Sequence, residues 1–293
     1  MEAQMGIQTD SGSKRKEKSL IWYKVKKNPM TILGGSLILI LVVLAVTAPW
    51  LTPYDPIKIN MAERFQPPSA AHWFGTDEVG RDIFTRVLYG ARLSLGASIT
   101  IVLIAGLIGS VIGAVAGYFG SWVDQIIMRI MDMLLAFPTL VLAMVLAATL
   151  GPNLVNAMLA IAIVKIPVYV RLARGEALSI KKRLYVVAAK TFHINDFYII
   201  FRHIIPNTIT PVIIQTTLDL GSTILLVATL GFLGLGARPP APEWGTMIST
   251  GFKHMLDQWW YSTFPGLAVF IASAGFNLVG DGLRDILDPK SAR

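Results

Sequence analysis

Long apolar stretches separated by short polar ones run the length of this chain. From Leu93 to Val123 there is no charged side chain, from Met133 to Val164 again none, and between Ile204 and Ala237 only Asp219. A helix needs about 20 apolar residues to cross the hydrocarbon core, so these stretches are long enough to span it. A helix buried in a soluble core would be shorter and would show a polar face. The pattern predicts an all-α membrane protein with about six transmembrane helices, over Met30–Leu51, Leu93–Tyr118, Met133–Leu150, Leu154–Val170, Asn207–Gly231 and Thr263–Val279.

The segments between them carry their own signals. Met1–Lys18 is polar and reads as a disordered tail. Ser19–Lys27 mixes Leu20, Ile21, Trp22 and Tyr23 with lysines, as an interfacial helix does. A cleavable signal peptide competes for this start, but the apolar run is too long for a signal core and more spans follow. Thr52–Arg92 contains Pro53, Pro56, Pro67 and Pro68, then a short amphipathic helix over Arg81–Gly90. Gly151, Pro152 and Asn153 form a tight turn. Trp259, Trp260 and Tyr261 suit an aromatic interface belt. The partition expected is a tail and interfacial helix at 1–28, a first span with an external segment at 29–92, a transmembrane core at 93–280 and a tail at 281–293.

Charge sets the orientation. Six spans put both termini, the Gly120–Asp132 loop and the Arg171–Arg202 loop on one side. That side holds 18 basic residues against 7 on the other, which predicts cytoplasmic termini. The net charge of +8 does not point to nucleic acid, because the basic residues flank apolar spans and line no aromatic groove. Only 15% of residues are charged, where a soluble domain carries about a quarter. Cysteine is absent, which removes disulfides, thiolate metal sites and cysteine nucleophiles. His72, His193, His203 and His254 show no metal-ligand spacing. Asp77, Asp82, Asp281, Asp285 and Asp288 lie near span ends and read as caps or ion-pair partners.

Three features carry more. Gly109, Gly113 and Gly117 repeat every four residues and let another helix approach closely, within this chain or across a subunit interface. Lys165 and Asp219 lie inside spans, where a charge costs a few kcal/mol or more and faces a cavity or a partner. They are candidates for lining a translocation path or pairing with each other, with snorkelling the alternative for Lys165. The Arg171–Asn207 segment reads as two short helices. Ser179 is a candidate cap for one running through Tyr185, Ala188, Ala189 and Phe192, and Asp196, at a turn with Asn195, for a second leading to Pro206. With its basic flank, Lys190 included, this protrusion fits a partner's groove, and a solvated loop is the plain alternative.

This segment resembles the EAA loop of binding-protein-dependent ABC importer permeases. Ala188, Ala189 and the Ile204-Ile205-Pro206-Asn207 ending match. Two positions depart from the pattern: Val187 stands in place of the acidic residue and His193 in place of the glycine, and histidine takes positive φ less readily than glycine. The chain further resembles the C-type permeases of oligopeptide, dipeptide and nickel importers. The matching blocks are His72-Trp73-Phe74-Gly75-Thr76-Asp77, Gly80-Arg81-Asp82, Tyr89–Leu95, Phe232–Gly236 with Pro239, Pro240, Pro242 and Trp244, and Phe276–Asp285 with Leu287-Asp288-Pro289. The resemblance implies a permease in a prokaryotic cytoplasmic (inner) membrane, not itself an enzyme. It implies pairing with a homologous B-type permease, two cytoplasmic ABC ATPase subunits under the EAA loops, and an external solute-binding protein. No cofactor is expected in this chain. ATP and Mg would sit on the ATPases, in keeping with the lack of a G-x-x-x-x-G-K-[ST] sequence. Short peptides are the expected cargo, with nickel or another small solute the alternative. An intramembrane protease would need a nucleophile–base pair that the spans do not offer, and a stand-alone channel would not need the loop.

Overall fold

The computed structural model describes residues 28–287. The predicted tail, the interfacial helix and Asp288 lie outside them. Ten α-helices follow one another: α1 Pro29–Leu51, α2 Ile83–Phe119, α3 Ser121–Leu135, α4 Thr139–Leu150, α5 Leu154–Ile180, α6 Leu184–Thr191, α7 Asp196–Ile199, α8 Ile205–Phe232, α9 Trp244–Phe252 and α10 Trp259–Leu287. Five helical stretches are long and apolar enough to cross a membrane, α8 counting together with the turns that lead into it. A sixth span results if α3 and α4, bent by 92° at Ala136–Pro138, are taken as one.

Four spans differ from expectation, one of them α5, which was expected to end at Val170 and runs on to Ile180 through the start of the expected loop. The predicted amphipathic helix at Arg81–Gly90 is the first part of α2, which runs for 37 residues. Asp82 starts it by accepting the Thr85 N–H at 2.7 Å. Arg92 does not end it, because its charge is satisfied sideways. Pro49 has no N–H to offer the Ala45 carbonyl four residues back. The Arg92 guanidinium donates to that oxygen at 2.7 Å and to the Val46 carbonyl at 3.1 Å. The third predicted span is mostly not a straight helix. α4 has 12 residues, about 18 Å, against roughly 30 Å of hydrocarbon. The expected Gly120–Asp132 loop is α3, entered through Gly120 at φ +67°. At the far end, α10 continues to Leu287, where a tail was expected after Val279.

The glycine repeat packs within the chain. A Cβ on Gly109 would strike Tyr169, on Gly113 the Val170 carbonyl, and on Gly117 the Ala177 and Arg174 backbone region. α2 and α5 therefore lie backbone to backbone along this seam. On the face opposite the two-helix loop, the Thr52–Arg81 segment folds over the ends of α2 and α10. Buried Asp77 accepts from Arg81 Nε at 2.6 Å, His72 Nδ1 lies 2.9 Å from Asp82, and Arg86 donates to the Pro56 and Pro240 carbonyls. Glu243, fully buried, caps α9 through the Gly245 and Thr246 N–H groups, both at 2.8 Å. Burial pushes its carboxyl above the usual glutamate range, and these N–H donors pull the other way. Of the expected aromatic belt only Trp259 is exposed, since Trp260 and Tyr261 pack under the Thr52–Arg81 segment.

Candidate functional site

The helix α5 leaves the membrane at Ile180, and the chain makes two short helices before it re-enters through α8. Ser179 does not cap the first of these, because it still belongs to α5, and α6 starts at Leu184 with Arg183 before it. The end of α6 has a complete C-terminal motif. The Ile194 N–H bonds the Ala189 carbonyl at 3.1 Å and the His193 N–H bonds the Lys190 carbonyl at 2.9 Å. His193 takes φ +55°, the left-handed conformation such an ending requires and glycine supplies freely. The second helix is capped by Asn195, whose side chain accepts the Phe197 N–H at 2.8 Å. Asp196, the expected cap, instead accepts a hydrogen bond from the Tyr118 hydroxyl of α2.

A wide-turn stretch, Ile200–Ile204, joins α7 to α8. Pro206 explains it, because the Arg202 carbonyl has no N–H to meet four residues on and the ladder reopens there. The underside of the loop is a small core of Val186, Ala189, Ile199, Ile200 and Ile204 against Ala114, Tyr118, Ala177 and Ile180. Lys190 lies 4.4 Å above the Tyr118 ring, and Lys181 donates to the Gly117 carbonyl at 2.9 Å. Tyr185 and His203 rings approach to 5.8 Å. Ala188 and Pro206 face outward, unlike Ala189.

This core makes the loop rigid, and its outer side is apolar. Leu184 is 87% exposed and Phe192 79%, with Val187, Phe197, Tyr198 and Phe201 beside them also exposed. Leu184, Val187 and Phe192 lie outside the spanning stretches, and large apolar side chains exposed together there mark a protein-binding surface. Sequence reasoning named the alanines and the turn but missed Leu184 as an anchor and Tyr118 as a support. Nothing local marks Tyr118, since its partner lies 78 residues away.

Near the middle of the same two spans is the charge pair. Lys165 Nζ of α5 lies 3.1 Å from Asp219 Oδ1 of α8 and donates to Ser222 Oγ at 2.8 Å. Both side chains are almost buried. Pairing across the helices, rather than snorkelling, is how Lys165 is accommodated. Asp219 Oδ2 and the Tyr169 hydroxyl are both buried and lie beside one another. The loop-side half of α5 is braced by α3. Arg174 Nη2 donates to Asp124 at 2.7 Å and Arg171 to Asp132 at 2.7 Å.

Helices long and apolar enough to span, two of them joined through a packed two-helix protrusion, fit the class of transporter permeases. Comparison with known proteins narrows the class. The chain belongs to the family described as binding-protein-dependent transport system inner membrane component, matched over residues 109–293. Residues 19–68 match the N-terminal TM domain of oligopeptide transport permease C. The chain is 53% identical to a probable D,D-dipeptide transport system permease protein of Escherichia coli strain K12, over 93% of this chain and 91% of the relative. It is 47% identical to a dipeptide transport system permease protein of Alkalihalophilus pseudofirmus, over 91% and 88%. It is 42% identical to a glutathione transport system permease protein of Pectobacterium atrosepticum, over 92% and 90%. It is thus a multi-pass permease of the binding-protein-dependent ABC importer type, and such permeases are not enzymes in themselves.

Proposed function

We propose that this chain is one of two non-identical permease subunits of an importer that carries short peptides across a prokaryotic inner membrane. The carrying observation is the two-helix loop, rigid inside and apolar outside, whose flanking helices are the spans α5 and α8. A cytoplasmic ATPase subunit takes Leu184, Phe192 and their neighbours into a groove. ATP and Mg are held by the ATPase pair, which closes on binding nucleotide and displaces the loop. Because the helical stretch Asp196–Phe232 runs from the loop into α8, and α5 joins the loop through the short Lys181–Arg183 turn, that displacement tilts both. The Lys165–Asp219 pair links the two helices. The path then alternates between outward- and inward-facing states, with ATP favouring one and substrate release the other. A solute-binding protein delivers cargo at the face formed by the Thr52–Arg81 segment. Both termini and the loop lie in the cytoplasm, a reading supported by the basic-residue asymmetry.

Peptide cargo rests on the relatives' names, which specify D,D-dipeptide, dipeptide and glutathione, the last a tripeptide. The test is uptake in vesicles containing the chain, its co-expressed permease, ATPases and binding protein. Labelled dipeptides should accumulate only with ATP, and Leu184→Asp with Phe192→Asp should abolish both uptake and ATPase retention. Nickel uptake without peptide uptake would replace the cargo. Uptake without ATPases would overturn the reading.

A further inference from the structure

α3 is a helix of 15 residues that turns 92° away from α4. α4 runs back along α5 through the Gly151–Asn153 turn, and α3 turns nearly at right angles to that pair. It is tied to the loop-side half of α5 by Asp124 and Asp132, which bond Arg174 and Arg171. One face, around Met131, is packed against the protein. The opposite face exposes Trp122, Ile126, Ile130 and Met133, residues that fall within one stripe at helical spacing. Beside that stripe stand exposed Gln125 and Arg129. Among the described residues Arg129 has no ion pair or hydrogen bond, unlike Arg171 and Arg174. A concavity of about 600 Å³ runs along this face between Gln125 and Met133.

We propose that α3 lies in the bilayer interface on the loop side and seats an anionic phospholipid, its phosphate on Arg129 and an acyl chain along Ile126, Ile130 and Met133. An in-plane helix with an apolar face immersed at the headgroup boundary is the known physical form of such binding. The charge argues for lipid over a protein partner. An unpaired guanidinium set beside an apolar stripe is costly against another apolar helix, and it is matched by a phosphate that accepts two parallel hydrogen bonds. Through Arg171 and Arg174 this helix holds the base of α5 at a fixed depth, next to the loop.

The chain has no cysteine, which makes single-site labelling direct. Nitroxides at Ile126→Cys and Ile130→Cys are placed in the assembled transporter in vesicles of phosphatidylcholine and phosphatidylglycerol. Both should collide with oxygen far more than with a water-soluble nickel chelate. Shielding from both reagents, which a covering permease helix would produce, overturns the proposal, as does a preference for the chelate. Separately, Arg129→Gln should lower the phosphatidylglycerol retained by purified transporter, read by mass spectrometry, about fivefold, the contribution of one arginine near an anionic surface. Inorganic phosphate should not displace that lipid. Unchanged retention in Arg129→Gln, or displacement by phosphate alone, overturns the lipid assignment. Neither readout measures uptake, so failure here leaves the importer reading untouched.

Discussion

The same two helices hold opposite exceptions at their two levels. Midway along their length, α5 and α8 nearly bury a lysine and an aspartate against each other. Beyond the membrane, the loop between them presents Leu184 and Phe192 to water. Each is the wrong residue type for its medium, and each is expensive unless matched. The charges are matched inside the chain, by each other and by Ser222. The apolar residues have no match inside the chain, because the loop's own core is already filled from its other face. In the importer we propose, the first exception links the two helices and the second forms the docking face.

Removing one charge tests the first half most severely. Lys165→Met leaves Asp219 buried and alone, which should cost about 3–5 kcal/mol, read as lost thermal retention of the detergent-solubilised transporter. Lys165→Met with Asp219→Leu should recover most of that stability, since an apolar pair of similar volume is often neutral. If the double variant is stable but hydrolyses ATP without uptake, the pair links motion rather than holding the fold. If it imports normally, the joint tilt of α5 and α8 does not depend on the pair.

The second half is tested at the surface. Phe192→Ala should weaken ATPase retention by about 2 kcal/mol, roughly 30-fold in affinity, with the thermal stability of the permease unchanged. A loss of stability instead would mean that Phe192 packs within the chain. Between the two levels, Gly113→Ala drives a Cβ into the Val170 carbonyl and should cost roughly 1–3 kcal/mol, seen as a lower melting midpoint. The smallest effect belongs to the loop's turn. His193→Gly relieves a left-handed backbone and should stabilise by about 1 kcal/mol, visible as slower proteolysis of the loop.

Much of this was legible in the sequence, and for identifiable reasons. Hydrocarbon imposes long uncharged helices, so the span centres followed from the pattern alone. The two alanines and the Pro206 ending followed from the resemblance of the loop, whereas the left-handed backbone at His193 did not, because histidine adopts positive φ less readily than the glycine it replaces. Span ends were less legible. A charge such as Arg92 reads as a boundary until a carbonyl freed by Pro49 in another helix is seen to take it. The 92° bend was also invisible, since Ala136–Pro138 permits a kink without specifying its angle.

Composition and periodicity determined by themselves that this chain lives in a membrane, roughly where it crosses, and that two short helices stand outside it. They did so because the bilayer constrains each residue locally, one helix at a time. Only tertiary structure decided that Gly109, Gly113 and Gly117 face α5, that Lys165 meets Asp219, and that Asp196 bonds Tyr118 rather than capping a helix. Those outcomes depend on which helix faces which across 50 residues or more of chain, and no local preference encodes that distance.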